Sequence, residues 1–214
     1  MTNNSIQRQQ TNTNCLKSPR LIDETLGDFP ESLPLSEEYL LLGFSPSLCP
    51  LKKQWRNNGL SADFFADYLT GFFVGDKADL QGAKHSEIKS AISYIANELL
   101  ENAIKFNDSS CSHPISIQLR MYADKLTFLV TNSIKLDAAE KYKAFIQQVL
   151  TRDPGEMLLR RLVKNAEEDH LESPGIGILC MMNDYLVTIG WKFTKIHGNS
   201  EIVVTVTTMV QLII

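Results

Sequence analysis

The sequence predicts an α+β protein in which helices pack on one face of a mixed, mostly antiparallel β-sheet. Helical periodicity dominates the middle of the chain, and alternating, β-rich segments come in hairpin-like pairs within residues 115–132 and 185–212. No regular β-α-β alternation links these segments. Helices combined with hairpins in this way favour a two-layer α/β sandwich over a doubly wound parallel fold.

Composition narrows the class of protein. The chain has 214 residues, 43% of them apolar, which suffices for one globular core with room for an appendage. A net charge of −4 without blocks of like charge argues against a general nucleic-acid binder. There is neither a signal-peptide pattern nor a run of eighteen apolar residues, and the four cysteines are widely scattered. We therefore expect a cytoplasmic protein with reduced thiols and no membrane span.

The N-terminal third divides into two parts ahead of the main domain, which we assign to residues 81–214. Residues 1–20 are almost entirely polar and predict a disordered tail. Residues 21–80 form an N-terminal extension whose prolines allow short strands or turns but no long helix until Ser61. The helix expected from there to about residue 73 is rich in aromatic residues, which either pack in the core or mediate a homodimer. Its apolar face comprises Phe64, Phe65, Tyr68, Leu69, Phe72 and Phe73.

The main domain begins with a long helix and continues through two strand pairs. Apolar residues recur along this helix at helical spacing, which predicts that one face is buried. The turns between the paired strands predict antiparallel hairpins. The expected elements are a helix over 85–106, strands over 115–121 and 125–132, helices over 137–151 and 154–168, a helix after residue 177, and strands over 185–196 and 201–212.

A polar triad lies on the long helix, within the segment NELLENAIKF. Glu98, Asn102 and Lys105 are spaced i, i+4 and i+7, so a carboxylate, an amide and an ammonium share one face beside the apolar stripe. Such a triad also occurs on ordinary solvated helices. It needs a second element to indicate a site.

The second element is the segment Gly175-Ile176-Gly177, which precedes the apolar segment ILCMMNDYL. Glycines allow close approach of a ligand to the backbone, and the N-terminus of a helix presents N–H groups to phosphate. The segment does not follow a strand and lacks the G-x-G-x-x-G pattern, so a Rossmann site is disfavoured. The P-loop pattern is also absent.

Taken together and in this order, the two elements resemble the Bergerat-fold (GHKL) ATP-binding domains of histidine kinases, Hsp90, gyrase and anti-sigma-factor kinases. The resemblance covers about residues 80–214, and NELLENAIKF is its most specific part. With the upstream stretch WRNNGLSADFFADYLTGFF, the chain looks most similar to small bacterial SiaB-type protein kinases.

The resemblance implies a role for each matching residue. Glu98 stands where the family keeps a carboxylate that accepts a proton from an attacking hydroxyl, and Asn102 where an amide oxygen binds Mg²⁺. Lys105 matches a lysine that meets a phosphate of ATP in some members. Gly175, Ile176 and Gly177 match the second glycine box, which cradles the phosphates.

One segment departs from the family pattern. Where the family has Asp-x-Gly-x-Gly after a strand, this chain has Thr131-Asn132-Ser133-Ile134. The side-chain oxygen of Asn132 can still accept a hydrogen bond from the amino group of adenine, but both glycines are missing.

Two functions therefore follow from the resemblance. The first is an ATP-dependent serine/threonine kinase of a bacterial partner-switching system, which phosphorylates a small STAS-type partner. The second is a switch protein with a degenerate site that binds nucleotide or its partner without transferring phosphate. The glycines lost near Asn132 leave both open.

Residues 135–172 correspond to the family's mobile ATP lid. They fit either that role or two ordinary surface helices over the edge of the sheet. Three cations in this segment could reach phosphates, although a charged helix face is usually just solvated. They are Arg160, Arg161 and Lys164.

Overall fold

The computed structural model describes residues 21–36, 38–45, 62–68, 81–168, 175–197 and 202–214. Within these ranges it contains six strands and five helices, which confirms the α+β class. The strands are β1 (Leu21–Gly27), β2 (Tyr39–Phe44), β3 (Ile115–Met121), β4 (Lys125–Ile134), β5 (Thr188–His197) and β6 (Ile202–Ile213). The helices are α1 (62–68), α2 (Gln81–Lys105), α3 (Leu136–Thr151), α4 (Pro154–Glu168) and α5 (Ile176–Asp184).

All six strands belong to one sheet, in the order β1-β5-β6-β4-β3-β2. The five pairings are all antiparallel, so the expectation of a mixed sheet is wrong for the strands described. The two pairs joined by short connections, β3–β4 and β5–β6, are neighbours, as their hairpin patterns predict. A parallel pair would need a crossover connection between strands running in the same direction, and no such pair occurs in this order.

The helices cover one face of the sheet and bury its apolar side chains. Alternate residues of β3 and β4, such as Ile117, Leu119 and Phe128, are fully buried there. They face the stripe of α2, in which Ile92 and Ile95 are also fully buried. The two-layer arrangement thus follows from an alternating strand pattern meeting a helical one.

The helix boundaries lie close to those expected, with two exceptions. α2 begins at Gln81 rather than at residue 85, and α5 begins at Ile176 and ends at Asp184. α4 occupies Pro154–Glu168, as the sequence predicts. None of the helices in the described ranges is long and apolar enough to cross a lipid bilayer.

The strands β1 and β2 are consecutive along the chain but lie at opposite edges of the sheet. The chain between them begins against Gly190, where the amide of Asp28 donates to the carbonyl of Ile189 at 3.1 Å. At the other end, the Tyr122 hydroxyl donates to the carbonyl of Pro34 at 3.0 Å. We call residues 28–36 the strap, because they connect the two edges across the face opposite the described helices.

Glycines make room for the strap. Gly190 pairs with Gly27 between β5 and β1, and a Cβ on Gly190 would lie 2.5 Å from the carbonyl carbon of Asp28. Gly27 itself has φ +67°, a backbone conformation that favours glycine. Met209 pairs with Gly190 and is fully buried although it lies on the strap's face of the sheet.

Helix α1 contains part of the aromatic segment expected over residues 61–73. Phe65 is fully buried, whereas Phe64 and Tyr68 are 49% and 41% exposed and their rings stack with centroids 6.0 Å apart. An ion pair between Asp67 and Lys89 holds α1 to α2. Of the three aromatic residues described in α1, one is thus core and two are partly exposed, so both alternatives for the segment stay open. Leu69, Phe72 and Phe73 lie outside the described residues.

We expect Gly190→Ala to destabilise the fold by about 1–3 kcal/mol, because the new methyl group would overlap backbone atoms of Asp28 and Phe29 that cannot rotate away. Chemical denaturation of the purified protein measures the change. Gly43→Ala is the matched control, since its Cβ would meet only the carbonyl oxygen of Ile115 at 3.9 Å. Equal stability of the two variants would contradict close contact between the strap and β5.

Candidate nucleotide-binding site

A cavity of about 560 Å³ opens on the helical face of the sheet. Strands β4 and β6 form its floor, α2 and α3 its sides, and α4 together with Gly175 closes the remaining side. Its walls are mostly apolar. They include Leu99, Ala103, Val130, Ile134, Phe145, Ile178 and Val206.

The cavity carries positive charge without negative charge. Lys141 of α3 and Arg161 and Lys164 of α4 line it, and none of its described lining residues is acidic. The uncharged polar groups are the side chains of Asn102, Asn132, Tyr142 and Thr208. An apolar interior with cations around it suits a ligand that has an apolar body and an anionic group.

The three polar residues of the α2 motif are separated by the structure. Asn102 lines the cavity. Glu98, one turn earlier, is half-buried outside the cavity lining and packs against the backbone of Gly177, where an added Cβ would overlap its carboxylate. Lys105 is exposed and lies over the ring of Phe106, 5.9 Å from the centroid. The motif therefore contributes one side chain to the cavity.

Desolvation is the main electrostatic effect on Glu98. Burial raises the pKa of its carboxyl above the ordinary value of 4.5, and the negative charge of Glu101 adds to the effect. Among the described residues Glu98 has no ion-pair partner, so no described lysine stabilises its charge. A carboxylate destabilised in this way is a better proton acceptor than an exposed one.

The glycine segment turns the chain into α5 next to the cavity. Gly175 has φ +88° and is the N-cap of α5, and its carbonyl accepts the first helical hydrogen bond, from Leu179. A Cβ at Gly175 would lie 2.5 Å from Cζ of Phe145 and 3.0 Å from Nη1 of Arg161. Gly175 lines the cavity, whereas Ile176 and Gly177 do not. Gly177 instead makes room for Glu98.

Asn132 lies in the wall of the cavity but within a strand rather than a glycine loop. It is buried, and its side-chain amide donates to the carbonyl of Ser133 at 2.8 Å. Strand β4 stays paired with β6 as far as Ile134. The Ser133 hydroxyl in turn donates to the side-chain oxygen of Asn107 at 2.9 Å. Thr131–Ile134 are therefore held in a paired strand.

Tyr142 ties α3 to the sheet and forms part of the cavity wall. Trp191 of β5 donates its indole N–H to the Tyr142 hydroxyl at 3.0 Å. The Tyr142 ring also meets Phe193 edge-on, with centroids 6.1 Å apart. Burial raises the pKa of Tyr142, and hydrogen bonds with Trp191 and Thr208 oppose that rise. The hydroxyl is thus a neutral, fully engaged structural group.

The segment expected to be either a lid or surface helices consists of α3 and α4 packed around the cavity. Two neighbouring arginines of α4, Arg160 and Arg161, differ in their surroundings. The Arg161 guanidinium stacks on Phe145 at 4.7 Å from the ring centroid, whereas Arg160 is exposed and pairs with Glu156 at 3.3 Å. Sequence reasoning missed the α3 contribution, although the spacing i, i+3, i+4 and i+7 signalled it. Those residues are Ala138, Lys141, Tyr142 and Phe145.

The donor set of the cavity does not form a metal cluster. In the part of the chain that the structure describes, no group of three or more His, Cys, Asp or Glu side chains could hold a metal ion. Mg²⁺ bound with a nucleotide does not need such a group, because it keeps waters and takes most other ligands from phosphates. The Asn102 amide oxygen is an adequate protein ligand for that kind of ion.

The raised pKa of Glu98 gives a prediction for stability against pH. The folded state binds the Glu98 proton more tightly than the unfolded state, so this group lowers stability as pH rises from about 4.5 through its folded pKa. Glu98→Gln should therefore be more stable than the wild type at pH 7 and equally stable below pH 4.5. Thermal unfolding from pH 4 to 8 measures this, with exposed Glu87→Gln as control. Loss of stability at pH 7 would mean that the charge is stabilised by a neighbour.

Comparison with known proteins assigns no function to the site, which is therefore interpreted from its own chemistry. No family model matches the chain, and no curated protein matches it. The resemblance to Bergerat-fold domains thus rests on the two motifs and on the arrangement of their residues. Asn102 and Gly175 come from these motifs, and Asn132 comes from the segment between them.

Proposed function

We propose that this chain is a Bergerat-type ATP-binding regulatory protein that phosphorylates a serine or threonine of a small STAS-type partner in bacterial partner switching. One observation carries the proposal. Asn102, Asn132 and Gly175, which the resemblance assigns to magnesium, adenine and phosphate, line a single cavity together with three cations.

The cavity suits a nucleotide in its volume and in the apolar, amide and cationic groups that line it. A volume of about 560 Å³ lies within the range of small-molecule pockets. Val130, Val206 and Leu99 offer apolar contacts to a base, and Asn132 offers an amide to its polar edge. Lys141, Arg161 and Lys164 offer positive charge to phosphates.

Asn102 is the residue that would hold Mg²⁺, through its amide oxygen. ATP supplies the phosphoryl group that is transferred to the partner. The backbone beside Gly175 and the nearby cations would orient and neutralise the phosphates, and most of the rate enhancement in phosphoryl transfer comes from such positioning and charge stabilisation.

Glu98 is the proposed proton acceptor. The partner's hydroxyl oxygen forms the new bond to phosphorus, the bond to the departing diphosphate breaks, and the hydroxyl proton passes to the Glu98 carboxylate. The desolvation that raises the pKa of Glu98 favours this transfer. Its place against Gly177 puts it beside the glycine segment expected to hold the phosphates.

A second function is favoured by a separate observation. Glu98 does not line the cavity, and Thr131–Ile134 are held in a paired strand where the kinases of this family have glycines. These two features fit a switch protein that binds its partner and transfers no phosphate. The two functions differ in chemistry and share the same cavity.

Phosphate transfer separates the two. The full chain with labelled ATP, Mg²⁺ and a candidate STAS-type partner should yield labelled partner, and Glu98→Gln should lower the transfer rate by about 10²- to 10⁴-fold with nearly unchanged ATP affinity. Glu87→Gln, an exposed change on the same helix, should transfer normally. A wild-type protein that binds its partner tightly without labelling it would identify the switch.

The role of Asn102 gives a further prediction. Asn102→Ala should weaken ATP binding measured by calorimetry with Mg²⁺ and leave binding in excess chelator nearly unchanged, because only the metal ligand is lost. Asn97→Ala, the same substitution on α2 at a residue outside the cavity lining, should change neither. If Asn102→Ala and the wild type respond identically to Mg²⁺, the metal is held elsewhere.

A further inference from the structure

The Arg161 side chain is the most constrained cation of the cavity. It is half-buried, its guanidinium lies over the Phe145 ring, and its Nη1 approaches Gly175 so closely that a Cβ there would be 3.0 Å away. Stacking on an aromatic ring fixes the plane of a guanidinium while its N–H groups stay directed outward from the edge. Arg161 is thus positioned before any ligand arrives.

No described carboxylate neutralises the charge of Arg161. Within the described ranges no carboxylate forms an ion pair with Arg161, whereas the adjacent Arg160 has Glu156. Burial lowers the pKa of Arg161, which records the cost of keeping a cation partly out of water. An arginine remains protonated despite such a cost, so the charge stays available for an anionic group of the ligand.

Lys141 also lines the cavity, but its side chain is exposed, whereas that of Arg161 is half-buried. A flexible, hydrated ammonium is a point charge, whereas a fixed guanidinium can form two parallel hydrogen bonds to one phosphate. Arg161 also lies beside the glycine segment, while Lys141 comes from α3. Lys164, the third cation of the cavity, is exposed like Lys141. The geometry therefore singles out Arg161 among the three.

We propose that Arg161, held by Phe145 beside Gly175, is the phosphate-binding and specificity-determining residue of this cavity. It makes the site select polyphosphate-bearing ligands over the corresponding nucleoside. This inference rests on the proposed function for the identity of the nucleotide, but the anion-binding role can be measured apart from it.

The test measures binding of four probes to the full chain by calorimetry: ATP, ADP, adenosine and inorganic tripolyphosphate. Arg161→Gln should weaken ATP, ADP and tripolyphosphate about tenfold to a hundredfold, as expected when a charge-assisted hydrogen-bond partner is lost. Its affinity for adenosine should stay within about twofold. Arg160→Gln, the neighbouring control, should leave all four affinities unchanged.

Arg161→Lys provides a second variant that keeps the charge and loses the planar fork. It should bind the three phosphate-bearing probes with intermediate affinity, and thermal unfolding of each variant checks that it is folded. If Arg161→Gln does not fold, the affinity of Arg161→Lys for the phosphate-bearing probes is the test. Reduced affinity supports the inference, and wild-type affinity overturns it.

The remaining outcomes distinguish the inference from the function on which it rests. If ATP binds wild type and Arg161→Gln equally well, the role of Arg161 is wrong while the nucleotide site stands. If tripolyphosphate binds through Arg161 but neither ATP nor adenosine binds, the anion site stands and the proposed function fails. If no probe binds the wild type, both are wrong.

Discussion

The contact of Tyr142 with Trp191 sets the distance between α3 and the sheet, and the cavity depends on that distance. Without the hydrogen bond from the indole, the Tyr142 hydroxyl would lose a partner in the core, and a buried polar group without a partner destabilises the fold. Phe145 lies one turn further along α3, with its ring 6.3 Å from that of Tyr142. The same contact therefore also places the ring on which Arg161 stacks.

Two kinds of interaction hold the opposite sides of the cavity, and they respond differently to solvent conditions. On α2 the contacts are apolar, and Leu99 and Ala103 are nearly fully buried. On α3 an ion pair supplements the aromatic contacts, with Lys143 2.6 Å from Glu24 of β1 and over the Phe193 ring. Salt weakens a partly exposed ion pair of this kind and leaves apolar packing intact. The α3 side is thus the more adjustable one.

Sequence patterns predicted those helices and strands whose hydrophobic periodicity is contained within the segment itself. The spacing from Ile92 to Ala103 is helical, and Glu98 and Asn102 were placed on the correct helix because that period is a property of the segment itself. The alternation of ISIQLRM and KLTFLVTN likewise gave β3 and β4. Such patterns state which residues share a face but not what faces them.

Elements that depend on distant partners escaped prediction. β1 pairs with β5 near the other end of the chain, and no pattern within Leu21–Gly27 predicts that partner. The placement of Glu98 against Gly177 could not be predicted either, because the contact joins α2 to α5 and no local pattern in either segment encodes it. Phe145 and Arg161 meet only because α3 and α4 fold around one cavity, so their pairing is a tertiary property.

The strap has a consequence for how the chain reaches its folded state. Because β1 and β2 close opposite edges, the sheet is complete only after its first strands join segments formed from far later residues. Such non-local pairing slows folding. Until it occurs, the main-chain N–H and C=O groups of β5 and β3 stay open to strands of other molecules. A chain shortened to begin at residue 81 would keep those edges permanently and would tend to aggregate.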